Sequence, residues 1–265
     1  MGLPAFLYSQ KNLEAYKLFS ENGKNARYDK MLDELKEADV VFIGEFHDNP
    51  ISHWLQLEIT RAIAESGPVV LGAEMFESDN QEALNKYLNS SIDAKALDST
   101  ARLWTNFKTD YKPLVDYARD NDYPFIATNI PRRYANKVYK EGFEALEQLP
   151  AEEKDWIAPL PMYYDADLPS YKNMLTMMGD HGTPTMPMAQ ASKDATMAWF
   201  ISQNLSDGSV FIHYNGSYHS DYKEGIIWHL NQYKSGLKIV TLTTVKQTDL
   251  QNLEEEHKGK ADYII

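Results

Sequence analysis

Five short apolar runs punctuate the chain, at residues 40–44, 69–73, 125–128, 210–214 and 237–242. Most are nearly continuous rather than alternating, and several are rich in Val and Ile. A strand with one wet face alternates apolar and polar positions, whereas a strand covered by helices on both faces does not. The runs therefore predict strands of a parallel sheet, and residues 263–265 add one more at an edge.

Helical spacing fills the intervals. Ile51, Leu55, Ile59, Ala62 and Ile63 lie on one face, behind Asn49 as N-cap and Pro50 at the first helical position. Ser78-Asp79-Asn80-Gln81 fits a capping box ahead of Ala83, Leu84, Tyr87 and Leu88. Leu114, Val115 and Ala118 predict a helix, Pro131 opens another with Tyr134 and Val138, and Ala191, Ala195, Ala198 and Ile201 mark a third. Ile226, Leu230 and Tyr233 mark the last, ending at Gly236. Strand alternating with helix gives an α/β class, a mostly parallel sheet with flanking helices. Residues 1–265 read as one such domain. Two stretches, 78–112 and 142–190, exceed what a crossover needs and read as a smaller helical subdomain over one edge or end of the sheet.

The chemistry sits where the strands stop. The first run leads into Glu45, His47 and Asp48, the second into Glu74, the third into Asn129, and the fourth into Asn215, Gly216 and His219. In a parallel sheet these ends share one edge, and ligand sites form in the crevice outside it. Glu45, His47, Glu74, Asn129 and His219 are thus expected to converge, with His53 facing the same crevice. Two carboxylates and two imidazoles suit a divalent metal such as zinc or manganese. They suit acid–base catalysis equally well, with a carboxylate orienting a histidine. His213, inside a strand, and His229, on an apolar helix face, read as core histidines. The polar stretch 247–260 reads as a solvated face, with no specific role for His257.

Composition narrows the choice. The 265 residues carry 39 acidic and 26 basic side chains, a formal charge of −13, which argues against nucleic acid as a partner. Cysteine is absent, so disulfides, thiolate zinc sites, iron–sulfur clusters and a cysteine nucleophile are excluded. No apolar run approaches the ~18 residues of a membrane helix. The chain has no G-x-G-x-x-G after a strand, no G-x-x-x-x-G-K-[ST], no G-x-S-x-G and no H-E-x-x-H.

Six of the ten methionines fall between Met162 and Met188, together with Tyr163, Tyr164, Tyr171, Lys172 and His181. Methionine is flexible and polarizable, and such a stretch, punctuated by Pro and Gly, reads either as the packing of a helical subdomain or as a lid or contact surface for a flat apolar ligand. Tyrosine also supplies a phenolate, an established ligand of ferric haem.

The run from Gly44-Glu45-Phe46-His47-Asp48 to Gln56 resembles the opening signature of the ChaN-like haem-binding lipoproteins. Gly72-Ala73-Glu74-Met75-Phe76, Tyr111-Lys112-Pro113, Ala127-Thr128-Asn129-Ile130-Pro131-Arg132, Ala189-Gln190 with Asp194, and Gly216-Ser217-Tyr218-His219 resemble its later blocks in order. In the first block Ser52 precedes His53 where the family has paired histidines. The resemblance implies an iron-regulated haem-binding protein of bacterial iron and haem uptake, exported and either lipid-anchored to the membrane or periplasmic. It implies a homodimer that takes ferric haem at its interface with a tyrosine on the iron, working with an outer-membrane haem transport system. Tyr164 or Tyr163 is the expected iron ligand, with His181 and Lys172 near the propionates. It also implies a lipobox cysteine ahead of residue 3, so that Met1-Gly2 is a cloning remnant. The family is distantly similar to erythromycin-esterase-like proteins, which share the Gly-Glu-x-His block, the later Glu and the last His. That similarity leaves a second reading, a metal-dependent or acid–base hydrolase with Glu45, His47, Glu74 and His219 as its catalytic or metal-ligating set.

Overall fold

The computed structural model describes residues 14–265; the expectation about Met1-Gly2 lies outside them. Seven strands form one sheet: β1 (Phe19–Ser20), β2 (Val40–Glu45), β3 (Val69–Glu77), β4 (Phe125–Asn129), β5 (Val210–Gly216), β6 (Ile239–Thr243) and β7 (Tyr263–Ile264). Their order is β1-β7-β6-β2-β5-β3-β4, all parallel neighbours except the antiparallel β1–β7 pair. Every residue of β2 and of β5 is buried. Val41 and Ile43 face one core while Val40 and Phe42 face another, which is why the run is unbroken rather than alternating.

The helices are α1 (Tyr28–Lys36), α2 (Pro50–Ala64), α3 (Gln81–Leu88), α4 (Ala94–Thr100), α5 (Lys112–Asp120), α6 (Arg132–Glu141), α7 (Glu144–Glu147), α8 (Ala151–Lys154), α9 (Pro169–Met178), α10 (Thr185–Gln203) and α11 (Ile226–Tyr233). Leu35, Ile59, Leu84, Leu97 and Leu114, from α1 to α5, cover one face with a single core. Ala198 and Ile201 of α10 and Leu230 of α11 cover the other. A third core joins Val138 of α6, Leu146 of α7, Ile157, Met162 and Ala195 of α10. Residues 78–112 thus pack into the first core, whereas residues 142–190 contribute mainly to the third.

Local chemistry sets the element ends. Asn49 Oδ1 accepts from the backbone N–H of Ile51 at 2.9 Å and of Ser52 at 3.4 Å, with Pro50 opening α2. The capping box at Ser78 does not form. Ser78 Oγ donates to Trp156 O, and residues 78–80 make a 3₁₀ turn before α3 begins at Gln81. Gln81 instead bridges to β4, donating to Phe125 O at 2.9 Å and accepting from Ala127 N at 2.6 Å. A tertiary partner has outcompeted the local cap. The strand at 263–264 is present, but β1 lies outside it and forms the edge. Two residues are too few to carry a periodicity, so the sequence pattern holds no signal for β1.

β3 runs on to Glu77 through an irregularity between Ala73 and Glu77, and β5 runs on to Gly216. Glu74 and Gly216 are therefore held inside the sheet rather than beyond it. After β5 the chain turns through Ser217–His219 and reaches Gly225, whose φ of +51° caps α11. A Cβ at Gly225 would collide with His219 O and its carbonyl carbon, which are backbone and cannot swing aside. Gly225→Ala is expected to destabilise the protein by about 1–3 kcal/mol in urea unfolding, combining left-handed strain with the clash. An unchanged midpoint would mean that this turn is slack.

Candidate functional site

Glu45, the last residue of β2, points its carboxylate into the crevice at the strand ends. Oε1 accepts from Tyr111 OH at 2.7 Å and from His47 Nδ1 at 2.7 Å. Oε2 accepts from Gln56 Nε2 at 2.6 Å, and His53 Nδ1 lies 3.2 Å away. Tyr111 closes the π-helical turn Phe107–Tyr111, while His53 and Gln56 come one turn apart from α2. Burial alone would push the Glu45 carboxyl up, but its bonds to His47, His53 and Tyr111 outweigh that and hold it below its ordinary value. Burial and Glu45 push the Tyr111 phenol far up, so it serves as a donor.

Because a carboxylate only accepts, His47 carries its proton on Nδ1 and leaves Nε2 as the basic nitrogen. Asn106 Nδ2 holds the His47 backbone carbonyl at 2.9 Å, and the Trp104 ring meets the imidazole edge-on at 4.8 Å. The imidazole is 41% exposed, the only substantially wet member of the cluster. Burial would lower its pKa, yet Glu45 and Glu74 together raise it. Nε2 lies over Gly216, where a Cβ would come within 2.9 Å of it. Gly216 is required here by close approach.

The second pair is wholly buried. Glu74 Oε2 accepts from Gly216 N at 2.7 Å, and Oε1 faces His219 Nε2 at 3.2 Å. The other nitrogen of His219 donates to Asp194 on α10. Burial disfavours the imidazolium, but Glu74 and Asp194 outweigh it and lift His219 to about 10. Burial likewise works against the Glu74 carboxylate, and His219, with help from His47 and Gly216 N–H, holds it well below the carboxylate range. The polar chain continues from Asp194 Oδ2 to Tyr171 OH at 2.9 Å and on to His229 Nε2 at 3.1 Å.

Glu45, His47, Glu74 and His219 are thus brought together as two carboxylate–imidazole pairs meeting at Gly216, and Asn129 Nδ2 braces Glu74 O at 2.9 Å. Asp194, Tyr111 and Gln56 complete the network; all three stand in the blocks that carry the family resemblance, with no role assigned to them there. Both nitrogens of His219 face carboxylates, Glu74 on one side and Asp194 on the other. His213 bonds Thr128 Oγ1 at 2.8 Å and Asn215 Oδ1 at 3.0 Å, and burial pushes it down to about 4.

Two cavities open beside the cluster. A polar one of about 710 Å³ is lined by His47, Glu74, Trp104, Arg102, Arg132 and Lys193. An apolar one of about 410 Å³ is lined by Met174, Met177, Met178, Met186, Tyr139 and Tyr218. Ala135 and Asn136 of α6 and Lys193 of α10 belong to both walls. The methionine segment therefore does line a cavity, but the four side chains expected with it line neither. Tyr163 is exposed beside Tyr233, with ring centroids 5.7 Å apart. Tyr164 packs between Tyr171 and Phe143, Lys172 pairs with Asp167 at 2.8 Å, and His181 lies exposed on the turn Gly179–His181. Tyr139 on α6 and Tyr218, next to His219, are the tyrosines at the cavity, and Tyr218 is the one beside the strand-end cluster.

Comparison with known proteins adds four matches. A family described as haem-binding uptake, Tiki superfamily, ChaN, matches residues 31–230. Among solved structures, ChaN of Campylobacter jejuni, described as binding haem cofacially, superposes with a TM-score of 0.70 at 22% identity, covering 94% of this chain and 95% of that one. RRSP, a MARTX toxin effector domain from Vibrio vulnificus CMCP6, superposes with a TM-score of 0.51 at 18% identity over 89% of this chain and 37% of its own. At these identities the likeness is one of fold. Protein RETICULATA-RELATED 5, chloroplastic, of Arabidopsis thaliana is 28% identical over 220 residues, and the chain spans 29% of that protein's length.

The buried triad makes stability depend on pH. His219 rises from an ordinary 6.5 to about 10, so its contribution is full below pH 6.5 and is lost as pH climbs through 10. Glu74 is depressed from an ordinary 4.5, so its contribution holds above that value and is lost in acid. His219→Gln leaves two buried carboxylates without their cation and is expected to cost about 3–5 kcal/mol in urea unfolding near pH 6. The deficit relative to the native chain should shrink towards pH 10. A deficit independent of pH would mean that His219 is neutral in the fold.

Proposed function

The chain belongs to the haem-binding uptake family of the Tiki superfamily that includes ChaN, and from that premise we propose that it binds ferric haem on the methionine-lined cavity. The observation that carries this reading is the pairing of that apolar wall with an exposed phenol and an unengaged lysine. Four methionines present polarizable side chains to a flat ring, and Met177 is 79% exposed at the rim. Lys193 makes no ion pair among the described residues and stands ready for a carboxylate. Ferric haem, when bound, would supply a Lewis-acidic iron and two propionates. Tyr218 would hold the iron through its phenol oxygen. Burial, Asp194 and Glu224 hold its phenol up at about 12, so without ligand it stays protonated and donates to Ser170 O.

The broad opening of this cavity suits closure by a second copy of the chain, hence a homodimer with haem at its interface. On this reading the protein works outside the cytoplasm, anchored by lipid or free in the periplasm, and serves iron uptake with an outer-membrane haem transport system. No helix among the described residues is long and apolar enough to cross a membrane.

A second reading rests on a separate observation. His47 Nε2, with its tautomer fixed by Glu45, opens on the polar cavity and not on the methionine-lined one. That geometry suits a general base for hydrolysis without metal, because Glu74 and Asp194 already occupy both nitrogens of His219. A zinc or manganese version would use His47 and Glu74.

Titration with ferric haem, followed in the visible spectrum, tests the first reading. The native chain is expected to give a saturable Soret shift with the charge-transfer band of phenolate ligation. Tyr218→Phe should lose that band and bind about tenfold more weakly or worse, a loss of about 1.4 kcal/mol. Lys193→Ala should keep the band and bind about fivefold more weakly. The band surviving in Tyr218→Phe but not in a Tyr163→Phe/Tyr164→Phe variant would move the ligand to that pair. For the second reading, ester hydrolysis that persists in chelator and vanishes in His47→Gln is expected; hydrolysis unaffected by His47→Gln sinks it.

A further inference from the structure

The polar stretch 247–260 reads from sequence as a solvated face, yet His257 within it is only 8% exposed. It ends the 3₁₀ turn Glu255–His257. Both of its ring nitrogens are sealed from solvent, and neither has a hydrogen-bond partner among the described residues. Leaving a buried polar atom unpaired costs about 1–3 kcal/mol, so two on one ring call for an explanation.

The groups facing the ring supply one. Nε2 lies 3.9 Å from Glu254 Oε2 and 3.9 Å from Glu256 Oε1, too far for a hydrogen bond to either. Neither carboxylate has another ion-pair partner among the described residues, because Lys258 pairs with Glu255 and Lys260 with Asp221. All three ligand atoms fall within 4.8 Å of one another. A tetrahedral ion with bonds of about 2.1 Å sets its ligands about 3.4 Å apart. The two glutamates, 48% and 76% exposed, are free to close the gap of about half an ångström to the imidazole and of up to about 1.4 Å between themselves.

We infer that Glu254, Glu256 and His257 form a binding site for a divalent transition-metal cation. One imidazole with two carboxylates favours zinc or manganese over magnesium or calcium, and the exposed side leaves room for water ligands. The ion fills the space between a buried imidazole and two uncompensated charges. It also braces a neighbouring turn. Lys260 O accepts from Tyr222 N at 2.7 Å, Lys260 Nζ stands 3.7 Å from Asp221, and Lys223 Nζ donates to Asp262 at 2.7 Å. Residues 221–223 directly follow the turn that carries Tyr218 and His219, and Tyr222 and Lys223 both hold positive φ. Metal at residues 254–257 therefore stiffens the support of that turn from outside the strand-end cluster.

The test is calorimetric titration of the whole chain with Zn²⁺ and, separately, Mn²⁺, with thermal unfolding followed in parallel. The native chain is expected to bind at least one equivalent and to melt at a higher temperature with metal. Glu254→Gln/Glu256→Gln, confined to exposed side chains, should lose one equivalent and the thermal shift, whereas Glu141→Gln/Glu152→Gln, on exposed acids away from both clusters, should retain both. His257→Gln, if it folds, should match the double glutamine variant. Unchanged stoichiometry and thermal shift in Glu254→Gln/Glu256→Gln, or no binding of either ion by the native chain, overturns the assignment.

Discussion

Between the end of the sheet and the helical layer sits an imidazolium that both sides need. Glu74 comes from β3 and Asp194 from α10, and without a cation between them two buried carboxylates would repel across the layer boundary. His219 supplies the charge, and two donors absorb what the triad leaves over. Gly216 N–H takes the far oxygen of Glu74, and Tyr171 OH takes the far oxygen of Asp194. A buried ion pair stabilises only when its remaining lone pairs are met in this way. Tyr171 lies on α9, the helix that carries Met174, Met177 and Met178 into the apolar cavity. One proton thus ties together β3, β5, α9 and α10, and the cavity exists in its present shape because that tie holds.

The two carboxylate–imidazole pairs differ in kind although they meet at one glycine. Glu45 is surrounded by neutral donors and a half-exposed histidine, so its partner His47 keeps a nitrogen open to a cavity. Glu74 faces a histidine gripped from both sides, so His219 keeps none. The first arrangement is suited to exchanging protons with a ligand and the second to holding one permanently. The same four side chains fit a metal or an acid–base scheme by residue type, and the geometry separates the two imidazoles by how much of each is left open to a ligand.

How much of this was legible follows from where the information lies. The strands and the alignment of their polar ends could be read because burial on both faces leaves continuous apolar runs, and parallel strands put their C-terminal ends on one edge. Asp194 could not be assigned a partner, because its meaning depends on α10 crossing the end of β3. The capping box at Ser78 misled because local spacing ignores Trp156 and β4, which claim Ser78 and Gln81. The tyrosines were harder still. With 17 in the chain, proximity in sequence to the methionines favoured Tyr163 and Tyr164, whereas the cavity takes methionines from α9 and the start of α10 and its phenols from α6 and the turn after β5. Sequence clustering located the wall of the cavity but not the tyrosines that line it.

The charge of −13 bears on this arrangement through distance rather than through its total. At physiological salt, fields from exposed charges fade over about 8 Å, so a dianionic ligand responds to what lines its cavity. Two cations near the crevice are already spent: Arg102 pairs with Glu77 and Asp79, and Arg133 pairs with Asp79. Arg132 and Lys193 make no ion pair among the described residues, and Lys193 stands on the wall common to both cavities. A flat anion whose apolar face lies on the methionines would turn its carboxylates towards that wall, the direction in which unpaired positive charge remains. On this geometry the polar and apolar cavities are neighbouring parts of one ligand environment, with His47 and Glu74 at the far end of the charged side. On the proposed binding mode, an acidic protein would accommodate an acidic ligand through two cations left unpaired on the wall that the ligand's charge would face.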